Sequence, residues 1–322
     1  MNVTRRRFLR DSTLALMSVA AGCRSASEPG AQAPLFVPTS DRTVVRTLQG
    51  VPATDGAGVK LTRVIHQPAL QNLDPFLMLD RFHSNDANAY IAGFPNHPHR
   101  GFETVTVMLE GRMRHRDSRG NSGLIQGRGA QWMTAGRGII HSEMPEQESG
   151  LMSGFQLWIN LPAKEKMCPP YYQDLPPERL AEATLSSVGS RLRVIAGNPQ
   201  GLAGPVRDRP TQPTLLTLTL EDDQPFELEL PEGHVAFAFV HVGQVHLGPE
   251  ARASAVREGH IALLSQGKRL RLQARDRRSA VLLAAAKPLH EPIVQHGPFV
   301  MNTEAEIHQA IADYQRGVLD KA

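Results

Sequence analysis

The chain has 322 residues, 41% hydrophobic and 21% charged, which is long enough for two domains of ordinary size with separate cores. Its 27 glycines and 24 prolines suit many short strands joined by tight turns, so an all-β fold is expected. Of the net charge of +3, all comes from Arg5, Arg6, Arg7 and Arg10 against Asp11, and the remainder balances at 31 basic and 31 acidic residues; with no dense Lys/Arg run past Arg10, nucleic-acid binding loses its electrostatic footprint.

Thr4-Arg5-Arg6-Arg7-Phe8-Leu9 resembles a twin-arginine export signal. The apolar stretch Leu14 to Gly22 is too short to span a bilayer, which takes about 20 helical residues. Ala20-Ala21-Gly22-Cys23 resembles a bacterial lipoprotein processing site, with Ala20 where that pattern usually has Leu. Cleavage there would make Cys23 a lipidated N-terminus, and a plain cleaved leader with an incidental cysteine is the alternative. Either reading places the protein in a bacterial envelope, periplasmic or membrane-anchored through Cys23. Cys168 would then be the sole thiol, so the fold must stand on its core and any metal, without an internal disulfide. Twin-arginine export carries folded proteins, which allows a metal to be loaded before transport. Residues 24–41, rich in small residues and proline, read as a flexible tether.

Short strand-like runs begin at Arg42, and residues 42–165 read as a first β domain. Val59 to Ile65 alternates apolar and polar, Phe76 to Leu79 is wholly apolar, and Thr104 to Leu109 runs into the turn Glu110-Gly111. Within this domain His97-Pro98-His99 and His141-Ser142-Glu143 each place two metal-type ligands one residue apart. Side chains at i and i+2 of a strand share a face, so each triplet offers a two-toothed claw, and two facing claws make a four-ligand pocket. His115, on the polar return strand Arg112 to Asp117, reads as solvated. Residues 166–192, with Pro169-Pro170 and Pro176-Pro177, read as a connector. A second strand-rich domain occupies 193–322, and its His234, His241, His246 and His260 form no such claw; they are expected to be structural or on the surface. The tail ends in a helix opened by the capping box Thr303-Glu304-Ala305-Glu306 and closed by Gly317.

The paired pattern Gly93-x3-His97-x-His99-x3-Glu103-x7-Gly111 and, about 40 residues on, Gly136-Arg137-Gly138-Ile139-Ile140-His141 resembles the two motifs of the cupin superfamily. The wording is closer still to the pirin family, through Phe94 to Thr106, Gln131 to Pro145, Phe155 to Pro162 and Lys287 to Thr303. The resemblance covers roughly residues 43–318. It implies two cupin (double-stranded β-helix, jelly-roll) barrels with a short C-terminal helix, and one metal, held in the first barrel only. It also implies that His97, His99, His141 and Glu143 are the metal ligands. Three imidazoles and a carboxylate suit a borderline divalent metal, Fe(II) first, with Ni, Cu, Mn, Co or Zn as alternatives. Glu103 matches the acid that many cupins use as a ligand; because pirins take the carboxylate from His-x-Glu, Glu103 is expected instead to orient a ligand imidazole through its free N–H. Phe76, Phe94, Trp132 and Met133 are candidates to line an apolar mouth for a flat aromatic substrate, although core packing is the commoner fate of such side chains.

Pirin-like proteins are associated with oxidative ring opening of flavonols such as quercetin. On that reading substrate hydroxyls would ligate the metal, Glu143 or a nearby carboxylate would act as general base, and dioxygen would add to the activated ring. The alternative is a non-catalytic or redox-responsive partner-binding protein. The expected partners are a small aromatic substrate and dioxygen, with no nucleic acid, membrane contact only through Cys23, and a monomeric state.

Overall fold

A computed structural model describes residues 41–275 and 278–321; the leader, Cys23 and the tether up to Ser40 lie outside them. The first barrel is made of two antiparallel sheets. One has seven strands in the order Tyr171–Leu175, Ala130–Thr134, Phe102–Glu110, Met152–Asn160, Phe76–Ser84, Val59–Ile65 and Val51–Asp55. The other has four, in the order Phe94–His99, Ile139–Pro145, Arg112–Asp117 and Ser122–Gln126. The second barrel repeats the scheme, with seven strands from Val44–Gln49 through His260–Leu264, Val235–Val242, Ser279–Ala286, Thr214–Leu220 and Arg191–Ala196 to Ala181–Thr184. Its four-stranded sheet runs Phe226–Glu229, Arg269–Ala274, Gln244–Leu247 and Ser254–Arg257.

The two seven-stranded sheets pack against each other, so central strands such as Phe76–Ser84 and Ser279–Ala286 are buried on both faces, whereas outer strands such as Val44–Gln49 and Val51–Asp55 stay largely exposed. In Met152–Asn160 the pleat sends Phe155, Leu157 and Ile159 into the seam between barrels, while Gln156 and Trp158 turn into the first barrel. In Val235–Val242, Phe237 and Phe239 face the seam, and Ala236, Ala238 and Val240 face the second barrel. Phe76 meets Phe237 edge to face at 5.0 Å, and Phe155 meets Phe239 at 5.9 Å. Each fully buried aromatic of this kind contributes roughly 1.5–3 kcal/mol, which makes the seam a true core. The second barrel's interior is filled by Leu, Val and Ala side chains such as Leu216, Leu218, Val245 and Leu272.

Three segments depart from the expected boundaries. Val44–Gln49, expected in the first domain, pairs with His260–Leu264 of the second barrel. The expected connector supplies a strand to each barrel, Tyr171–Leu175 to the first and Ala181–Thr184 to the second. After the last strand of the second barrel the tail returns to the first, where Val294–His296 and Phe299–Met301 form a hairpin ahead of the helix Glu304–Gln315. That helix starts at the expected capping box on Thr303. Three contacts fix the tail. Arg100 donates to Asp313 at 2.8 Å. Buried Lys166 donates to the carbonyls of Gly101 and Val300 and to Asn160 Oδ1 at 2.6–2.9 Å. Gly101, at φ +92°, lies where any Cβ would collide with the Val300 carbonyl.

Candidate metal centre

The first claw sits on Phe94–His99 and the second on Ile139–Pro145, and these strands are antiparallel neighbours with His97 opposite His141. Ring centroids lie 4.3 Å apart for His97 and His141, 4.7 Å for His97 and His99, and 4.9 Å for His99 and His141. One nitrogen from each ring lies within 4.8 Å of the others, close enough for a single ion to be shared. His99 and His141 are buried and His97 is half-buried. Among the described residues this is the one cluster of three potential metal-binding side chains.

The surroundings prepare the imidazoles as neutral ligands. His97 Nδ1 lies 2.8 Å from the Pro95 carbonyl and His99 Nδ1 3.4 Å from that of Pro298. Each Nδ1 therefore carries the hydrogen and donates it, which leaves Nε2 with a free lone pair. His141 Nδ1 lies 3.4 Å from Nδ1 of His115, whose Nε2 in turn faces Asp117 Oδ2 at 3.8 Å. If His115 Nδ1 accepts from His141, the His115 hydrogen sits on Nε2, which is buried and, at 3.8 Å from Asp117, makes no hydrogen bond. His141 Nε2 is buried and has no protein partner, as expected of a nitrogen reserved for an ion. Burial, reinforced by the neighbouring imidazoles, holds His99 and His141 well below the usual imidazole range, and burial lowers His97 as well. The residues fit a divalent metal.

Glu143 is set differently from the three histidines. A register irregularity between His141 and Glu143 puts Glu143 opposite Phe94. Its carboxylate Oε1 lies 2.7 Å from the Thr106 hydroxyl, with the Gln156 amide 3.5 Å from Oε2, and it falls outside the histidine cluster. Burial, opposed by the Thr106 hydrogen bond, pushes its pKa up to about 7. The buried carboxyl can therefore be either a proton acceptor or a fourth ligand near neutral pH, and rotation away from Thr106 separates the two roles.

His97, His99 and Glu143 line a cavity of about 520 Å³. Phe94 lines it as expected, whereas Phe76 and Trp132 belong to the seam between the barrels and Met133 packs with Ala135 and Ile139. The apolar wall is formed instead by Met78, Phe82 and Trp158, residues that sequence reasoning missed although Trp158 alternates with the seam residues Leu157 and Ile159. Glu103 is corrected too. On Phe102–Glu110 it shares a face with Val105 and Val107, toward the second barrel, and it accepts from Thr134 at 2.7 Å and pairs with Arg209 at 2.6 Å. The imidazoles find their N–H partners elsewhere. His115, expected in solvent, is fully buried and stacks on Tyr172 at 5.4 Å; the alternation of Met113, His115 and Asp117 on one face was its signal. Thr106 was the second omission, and it sits two residues from Thr104 on the inner face of an apolar strand.

Two stacked jelly-roll barrels with a three-histidine cluster in the first define a bicupin able to bind a metal. The sequence matches the pirin domain over residues 58–159 and the pirin C-terminal cupin domain over 215–320. A Pseudomonas aeruginosa protein provisionally named quercetin 2,3-dioxygenase is 49% identical over 285 residues, covering 87% of this chain and 99% of that protein. Human pirin is 40% identical over 279 residues, covering 86% and 93%. The crystal structure of quercetin 2,3-dioxygenase from Acinetobacter baumannii superposes with a TM-score of 0.80 at 34% identity, covering 86% of this chain and 98% of that one. The chain belongs to the pirin family.

Proposed function

We propose that the protein is a metal-dependent dioxygenase that opens the ring of a flavonol such as quercetin. The carrying observation is the juxtaposition of the histidine cluster with a cavity of about 520 Å³ lined by His97, His99 and Glu143 together with Met78, Phe82, Phe94 and Trp158. That volume lies in the range of small-molecule sites, roughly 300–1,000 Å³. The P. aeruginosa and A. baumannii relatives carry names of the same activity. His97, His99 and His141 would hold the ion, with Glu143 as the fourth ligand in the resting site; Fe(II) suits this set best, with Ni, Cu, Mn, Co and Zn as alternatives. When bound, the metal supplies Lewis acidity toward a flavonol hydroxyl and redox access to dioxygen.

The chain's own residues do the rest. Turned onto Thr106 and Gln156, as it stands in this structure, the Glu143 carboxylate takes the proton of the flavonol hydroxyl. Phe94 and Trp158 bracket the flat ring system, and Pro298 from the tail closes the wall behind His99. The leader Thr4 to Leu9 and Cys23 support export by the twin-arginine route and work in the bacterial envelope, free in the periplasm or lipid-anchored. The test is flavonol absorbance followed together with oxygen uptake on protein loaded in turn with Fe, Ni, Cu, Mn and Co. Turnover with at least one metal, abolished by His97→Ala, is expected. No turnover with any of them overturns the proposal and leaves a non-catalytic metal-binding protein.

A further inference from the structure

A second cavity, of about 540 Å³, opens along the seam between the barrels and shares no lining residue with the histidine site. Its walls come from both barrels and are rich in arginine. Arg81, Arg128, Arg191, Arg193 and Arg278 line it against Glu110, Glu182 and Glu221, and Glu258 pairs with Arg81 at 3.5 Å from outside the lining, which leaves an excess of one positive charge. Glu182 is shared by Arg128 and Arg193, and Glu221 lies 3.7 Å from Arg278. Arg191 has no carboxylate within ion-pair distance among the described residues.

The floor makes the stronger point. His241 is only 7% exposed, lines the cavity and makes no hydrogen bond among the described residues. Burial first, then Arg81, His83 and Arg278, push its pKa down to about 3, so it is neutral and offers one N–H. Beside it Arg81 Nε is buried without an acceptor. A buried donor left unpaired costs roughly 1–3 kcal/mol, and native proteins rarely keep one without a reason. Clustered guanidinium groups in a concave, low-dielectric site focus a positive field, and their planar forks match carboxylate and phosphate oxygens.

We propose that this groove binds a small oligoanion, a molecule with at least two carboxylate or phosphate groups, bridging Arg81 and His241 on the floor to Arg191 and Arg278 at the rim. The volume favours a small molecule, and contact with both barrels means that such a ligand stabilises the folded chain.

Titration calorimetry with citrate and with pyrophosphate tests it, on the full chain carrying His97→Ala so that chelation at the histidine cluster does not contribute. One-to-one binding of at least one probe is expected, weakening as NaCl rises. Citrate alone would mark a carboxylate site, pyrophosphate alone a phosphate site. The exposed pair Arg191→Ser and Arg278→Ser, chosen because neither is in a core, should weaken binding by at least about tenfold, the effect of losing a charge-assisted contact. Arg257→Ser, outside the groove, should leave binding unchanged. Absence of binding by both probes at millimolar concentration, or binding indifferent to Arg191 and Arg278, overturns the proposal.

Discussion

If Glu143 ligates the metal, binding must expel its proton, because metal and proton compete for the same carboxylate oxygens. With a pKa of about 7, the carboxyl is ionised to roughly one part in ten at pH 6 and nine parts in ten at pH 8. Burial holds the three imidazoles below their usual range, which favours their neutral form, so the carboxyl sets the expected slope. Metal affinity should therefore rise about tenfold from pH 6 to pH 8, with one proton released per ion at the acid end. Competition against a chromophoric chelator of known pH dependence measures it, with Ni(II) or Zn(II) to avoid oxidation. Glu143→Gln cannot release a proton and should give a flat profile with weaker binding at pH 8. A slope that survives Glu143→Gln would refute the reasoning and remove Glu143 from the ligand set.

The same carboxyl makes an opposite prediction for stability without metal. Its folded pKa is raised from 4.5 to about 7, so folding is favoured with the proton on; the benefit is complete below pH 4.5, fades between 4.5 and 7, and is gone above. Glu143→Gln should thus stabilise the metal-free protein at pH 8 by about 3 kcal/mol and have little effect at pH 4, which denaturant melts would show. His115→Phe keeps the stacking on Tyr172 but removes the acceptor for His141 Nδ1; metal affinity measured by the same chelator should fall by about 10–100-fold, and unchanged affinity would deny His115 a positioning role. Replacing Arg5 and Arg6 with Lys should trap the protein in the cytoplasm, as fractionation would reveal, and unaltered export would sink the twin-arginine reading.

The histidine claws were legible because the i, i+2 geometry of a strand is local: His97, His99 and His141 needed only their own strands to share a face. The setting of Glu103, and the choice between core and cavity for Phe76 and Trp132, could not be read for a reason that is not local. Alternation divides a strand into two faces, but in a sheet buried on both sides it does not say which face is the barrel interior and which the seam. Phe155 and Trp158 are equally apolar in the sequence, yet one packs against Phe239 and the other lines the cavity. Val44–Gln49 was assigned to the wrong barrel because its partner His260–Leu264 is more than 200 residues away, and no periodicity within a strand encodes which distant edge it joins. The return of the tail, with Pro298 behind His99, was hidden likewise. Gly101 was present in the motif; only the structure shows that its missing Cβ is what lets the Val300 backbone approach.

The central claim is that the ion held by His97, His99 and His141 serves oxygen insertion into a flavonol ring. Mass analysis of the product formed from quercetin under ¹⁸O₂ by the metal-loaded protein tests it most directly. Both labelled atoms should appear in a ring-opened product, and none in protein carrying His97→Ala. Product carrying one label or none, or labelling that persists in the His97→Ala protein, would contradict the account.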